Sequence, residues 1–128
     1  MTTKIIRHLI LLLTIFLVSC GQQVKKDLKI NFSNVDSIII YNTFPDDTIA
    51  PPPKKLSDKK AKQFVDDFNN SVSVGQCKYF AYFHLTVYQK DKSERQFRAN
   101  DKSIKEKTDD CFDIGEKNYF DKLWDESK

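Results

Sequence analysis

His84, Cys77, Cys111 and the acids between Asp109 and Glu116 are the side chains through which this chain could do covalent or metal chemistry. A thiol beside an imidazole makes a nucleophile, because the ring takes the thiol proton and leaves the thiolate. Cys77 and His84 read as parts of one strand, where seven residues at roughly 3.3 Å each separate them by about 23 Å. That pair cannot meet, although Cys111 could still approach His84. Asp109, Asp110, Asp113 and Glu116 offer oxygen ligands but lack the D-x-D-x-D-G spacing of a calcium loop, so a solvated acidic turn accounts for them more simply. There is no glycine-rich phosphate loop, CxxC, HExxH or GxSxG, and the whole chain has three glycines. Neither a cofactor nor an enzymatic activity is expected.

The aromatic residues are more informative. From Lys78 to Lys90 the odd positions are Tyr79, Ala81, Phe83, Leu85 and Val87, and the even ones are Phe80, Tyr82, His84, Thr86 and Tyr88. In a strand these fall on opposite faces, one plain core and one aromatic with polar tips. Asp91, Lys92 and Ser93 read as a three-residue turn, and Glu94 to Ala99 as the return strand. That loop length sets Phe97 opposite Val87 and Ala99 opposite Leu85, which keeps Arg98 out of the core. The even face then carries Tyr82, His84 and Tyr88 beside Arg98. Rigid aromatics next to polar tips are what protein interfaces favour, so these four residues are the candidate binding set. Two other accounts stay open. The 43–55 loop could cover the face as a second, minor core, or the aromatics could stack on a small ligand or glycan.

The elements that must position this face follow from local pattern. Ser37 to Asn42 is β-branched and predicts a strand over 35–42, with a weaker one over 28–32. Thr43 to Lys55 contains Pro45, Pro51, Pro52 and Pro53 and favours extended, unpaired backbone. Ser57 offers an N-cap, and Ala61, Phe64, Val65 and Phe68 share one helical face up to Asn69 and Asn70. Ser103 to Lys107 is a weak strand and Cys111 to Ile114 a better one, broken by Gly115. Asn118 can cap a last helix bearing Phe120, Leu123 and Trp124. The sum is an α+β fold: an antiparallel sheet of about four to five strands with two helices on one face. Residues 30–128 form its single domain. At this size a staple helps, and Cys77 with Cys111 is read as a disulfide, the alternative being two buried thiols.

At the N-terminus Lys4, Arg7 and His8 precede an apolar run from Leu9 to Val18, interrupted by Thr14, and then Ser19 and Cys20. About ten apolar residues make a helix of roughly 15 Å, half the hydrocarbon thickness, so the run is an export signal rather than a span. Leu17, Val18, Ser19 and Cys20 resemble the lipobox of bacterial lipoproteins. The resemblance implies cleavage after residue 19 and acylation of Cys20, with 20–29 as the acylated cysteine and a short Gln- and Lys-rich tether. The two or three acyl chains that the resemblance implies suffice for stable membrane attachment. Gly21 implies a place in the cell envelope, on the periplasmic side of the outer membrane where the cell has one.

Loss of Lys4 and Arg7 takes the 21 basic residues to 19 against an unchanged 18 acidic ones, so a formal charge of +3 falls to +1. Without a strongly one-signed surface, no nucleic-acid partner is expected. Lys54, Lys55, Lys59, Lys60 and Lys62 form a local basic cluster that reads as a solvated face. The resulting expectation is a lipid-anchored, non-enzymatic interaction module with an envelope protein as partner, an inhibitor or immunity type being one form of it.

Overall fold

The structure is a computed structural model that describes residues 28–43, 49–107 and 110–128. The signal 1–19, Cys20, the tether through residue 27 and Asp109 lie outside the described residues.

Among the described residues seven strands form one sheet: β1 (Val35–Asn42), β2 (Lys54–Lys55), β3 (Val72–Gly75), β4 (Phe83–Gln89), β5 (Glu94–Asn100), β6 (Ser103–Glu106) and β7 (Cys111–Asp113). Their spatial order is β2-β1-β4-β5-β6-β7-β3, and every adjacent pair is antiparallel. Two helices, α1 (Asp58–Asn69) and α2 (Tyr119–Asp125), complete an α+β fold. The expectation of four to five strands is corrected to seven. Both additions are short edge strands whose local sequence is weak. Lys54 and Lys55 follow three prolines and pair with Ile40 and Ile39, and Val72 to Gly75 pair with β7. Over 28–32 no strand forms. Phe32–Asn34 is a 3₁₀ turn in which the Asn31 side chain accepts the Ser33 N–H at 3.1 Å.

Position α1 first. Its N-cap is Ser57, whose hydroxyl accepts the Lys60 N–H at 3.2 Å, and Ala61, Phe64, Val65 and Phe68 are its buried face. The helix carries the chain from β2 at one edge to β3 at the other. Twelve residues give about 18 Å of helix, against about 29 Å for the breadth of seven strands. The helix therefore lies across the middle of the sheet. Phe68 meets Phe97 at 5.2 Å and Phe112 at 5.9 Å between ring centroids, both edge to face.

The same face takes Ile38 and Ile40 from β1, Phe83, Leu85 and Val87 from β4, Ile104 from β6, and Phe120 and Leu123 from α2, all buried in one core. Asn118 precedes α2 with φ +58° and makes no side-chain cap bond. Instead the Asp101 carboxylate, in the β5–β6 turn, accepts the Asn118 N–H, and its carbonyl accepts the Phe120 N–H at 3.1 Å. The expected cap is thus replaced by a tertiary one.

The β4–β5 register differs from expectation by one cross-strand pair. Phe97 faces Leu85 and Ala99 faces Phe83. The turn explains this: Asp91 accepts the Ser93 N–H at 2.9 Å, so Ser93 closes the hairpin against Gln89 and the loop becomes Lys90, Asp91 and Lys92. Lys92 takes φ +72°, the left-handed residue that a three-residue hairpin needs. A shift of two residues preserves parity, so every side chain stays on its expected face.

Phe97 is enclosed by Phe64, Phe68 and the strand beneath. Phe97→Ala is expected to cost about 3–5 kcal/mol, read as a shift in the urea midpoint with unchanged slope. A loss under about 1 kcal/mol would show that this ring is not central to the core.

Candidate functional site

Both helices lie on the core face, which leaves the other face of the sheet free of helices. By alternation it carries Ser37, Ile39 and Tyr41 from β1, His84, Thr86 and Tyr88 from β4, Glu94, Gln96 and Arg98 from β5, Lys105 from β6 and Cys111 from β7. His84 stands between Tyr41 on one neighbouring strand and Arg98 on the other. Tyr88 is opposite Ser37 and Glu94. Of the four residues singled out from the sequence, His84, Tyr88 and Arg98 share this surface. Tyr82 does not share their strand. It lies one residue before β4, beyond the reach of the pleat, and packs against the core. Tyr41 takes its place; its alternation with Ile39 and Ser37 was readable, but only pairing shows which strand it adjoins.

Residues 76–82 account for Tyr82 and for the cysteines. β3 is at one edge and β4 near the middle, so the link between them must cross β7, β6 and β5. It does so on the open face. Cys77 is joined to Cys111 of β7 in a disulfide, with Cα atoms 6.0 Å apart. The Tyr79 ring then lies 5.8 Å from the Lys105 ammonium of β6, and its hydroxyl donates to the Arg98 carbonyl of β5 at 2.8 Å. The carbonyl of Tyr82 accepts the Thr43 N–H at 2.7 Å, which delivers the chain to β4 beside β1. The segment is a strap rather than the first half of a long strand, and Tyr79 and Ala81 are not on the core face. Closing a loop of 34 residues with the disulfide is worth about 3–4 kcal/mol by chain entropy.

The strap covers part of the open face, over β5 to β7. Of the proline-rich loop, Ile49 to Pro53 are exposed or unpaired and Lys54–Lys55 extend the sheet. Residues 44–48 lie outside the described residues.

Thiol chemistry ends with the disulfide, since Cys111 has no free thiolate to offer His84. Two of the described acids are engaged, and Asp110 is exposed. Asp113 pairs with Lys102 at 3.2 Å and accepts the Gly115 N–H at 2.6 Å, and Glu116 pairs with Lys122 at 2.7 Å. Among the described residues no three His, Cys, Asp or Glu side chains converge to hold a metal. Three of the five lysines of the basic cluster are locally occupied. Lys54 donates to the Trp124 carbonyl at 3.0 Å above that indole ring, Lys60 pairs with Glu126, and Lys62 pairs with Asp66.

One cation escaped the sequence reading. Arg95 sits on the core side of β5, where its guanidinium grips Glu106 of β6 at 3.0 and 2.6 Å and donates to the carbonyls of Leu28 and Lys29. This pair closes the sheet end and holds the entering chain. Nearby, Asn69 exchanges two 2.8 Å bonds with the backbone of Ile30.

Electrostatics distinguish the groups of the open face. Tyr79 is pushed up to about 12, first by burial and with Arg98 opposing. Tyr88 is raised first by hydrogen bonding with Tyr41. His84 is lowered first by burial and then by the Arg98 charge, so its ring is neutral near pH 7 and able both to donate and to accept. Beside Tyr88 lies a shallow groove of about 480 Å³ lined by Asp36, Ser37, Ile39, Lys90 and Ser93. No family model matches the chain, nor does any curated protein or solved structure.

The sign of the His84 effect follows from its lowered value. As pH falls through the ordinary histidine range, near 6.5, the unfolded chain takes up the proton before the folded one does, so stability is lost with acidification. An NMR titration of the His84 ring is expected to give a midpoint below that of a free histidine. Arg98→Gln should return only the smaller part of the depression, since burial is the larger cause. A midpoint at or above 6.5 would contradict the placement of the ring.

Proposed function

We propose that this chain is a lipid-anchored, non-enzymatic protein of the cell envelope that holds a protein partner on the open face of its sheet. The observation that carries this is the row Tyr41, His84 and Arg98 across three adjacent strands, with Tyr88 further along β4, on the face opposite both helices. Tyrosine and arginine on a rigid sheet give large contact area at small entropic cost, which is the usual composition of energetic centres in interfaces. An inhibitor or immunity protein acting against an envelope enzyme is one form of such a module. Its anchor is the acylated Cys20, reached through the short tether that ends where Arg95 and Asn69 seize the backbone of Leu28 to Ile30.

A second reading, a small-ligand or glycan binder, draws support from the groove beside Tyr88. Aromatic rings at such a groove stack on an apolar ligand face.

One experiment separates these readings. Cells expressing the tagged full chain are fed labelled palmitate and then crosslinked, beside a Tyr41→Ala/His84→Ala/Tyr88→Ala variant shown to be folded. The expected result is label on the wild type that Cys20→Ser abolishes, and one crosslinked protein that the triple variant loses. Label that persists in Cys20→Ser would remove the anchor from the proposal. An identical crosslink pattern in both proteins would remove the face.

A further inference from the structure

Phe80 is 83 % exposed at the middle of the strap, yet the backbone on both sides of it is tied down. Cys77 is stapled to β7, and Tyr79 is bound through its hydroxyl to the Arg98 carbonyl. On the far side the Ala81 and Tyr82 carbonyls each accept from the Thr43 hydroxyl at 3.1 Å. A single exposed phenylalanine on a loose loop is ordinary. One on a stapled crossing is different, because little further freedom is lost when a partner encloses it.

The charges that the strap crosses on β5 and β6 are both positive. Lys78 is exposed beside Phe80 in the strap, and Arg98 and Lys105 stand directly opposite each other on β5 and β6. Like charges in that position repel and lower the stability of the sheet. Among the described residues neither makes an ion pair with a carboxylate, whereas Arg95, on the core side of the same strand as Arg98, is matched by Glu106. Tyr79 lies over Lys105 but brings no negative charge. An unopposed cation pair under a fixed aromatic knob is complementary to a carboxylate-rimmed apolar pocket.

We infer that the strap is the docking element of this protein, with Phe80 entering an apolar pocket on a protein partner and the Arg98–Lys105 pair meeting carboxylates at the pocket rim. The inference rests on the proposed interaction function and names the partner's chemistry. It moves the energetic centre from the Tyr41–Tyr88 side of the open face to the strap. Carboxylates arriving there relieve the cross-strand repulsion as they bind, so affinity falls as salt is raised.

The test uses the full lipidated chain in nanodiscs of neutral lipid as bait for a displayed random-peptide library. Selected peptides are expected to combine large apolar residues with flanking Asp and Glu. Phe80→Ser should weaken their binding about tenfold or more, as loss of a central aromatic does, and Lys105→Glu should weaken it further. Phe80→Leu should retain most of it, which separates loss of the knob from loss of the fold. Peptides that bind Phe80→Ser as well as the wild type but are lost with Tyr41→Ala/Tyr88→Ala would overturn the inference and leave the open-face proposal standing. Selection of no peptide, or of basic ones, would overturn it as well.

Discussion

The chain crosses its own sheet twice, once on each face, because β2 and β3 occupy opposite edges while β4 lies near the middle. The first crossing is α1. It can be a helix because the face it crosses is apolar, and a helix satisfies its own backbone hydrogen bonds while burying one stripe. The second crossing has no such option. Seven residues must pass over three strands whose outward side chains are polar, so the strap runs extended and takes its hold from specific bonds. The disulfide at β7, the Tyr79 contacts at β6 and β5, and the Thr43 bonds near β1 are those holds. Core and candidate site are therefore two results of one topological demand.

The placement of charge follows the same division. On the core side Arg95 is tolerated because Glu106 meets it bidentately and two carbonyls take its remaining donors. A guanidinium buried without these would cost far more than the sheet could recover. On the open side Arg98 has solvent in place of a carboxylate, and its neighbours across the strands are His84 and Lys105. Three residues along one strand thus separate an arginine matched by a carboxylate on one face from an arginine without one on the other. Burial first, and the Arg98 charge second, keep the His84 imidazole neutral there.

A stapled strap gives this small domain a rigid feature where a loop of that length would ordinarily be mobile. Preorganisation matters under the proposed membrane anchor, since a tether restricts the approach of any partner and the remaining affinity must come from surfaces that need no ordering. The proposed anchor and the proposed docking element thus serve the same end from opposite parts of the chain.

Much of the architecture was legible because it rests on local period and parity. The β1 run, the amphipathic α1 with its Ser57 cap, the core face of Phe83, Leu85 and Val87, and the even-numbered face of His84, Thr86 and Tyr88 all follow from residues within a few positions of one another. Pairing of Cys77 with Cys111 was legible from compartment and count. What the sequence could not determine depends on contacts between distant residues. Lys54–Lys55 and Val72–Gly75 become strands only because a partner edge is present. Asp101, not Asn118, caps α2 because the β5–β6 turn abuts it. The continuous alternation from Lys78 to Lys90 breaks at Phe83, since the link from β3 must first cross the sheet before the chain can enter it. Alternation records which side a residue would take if the strand existed there. Only the order of strands in space decides where the strand can begin, and that order is set by long-range pairing that no local pattern encodes.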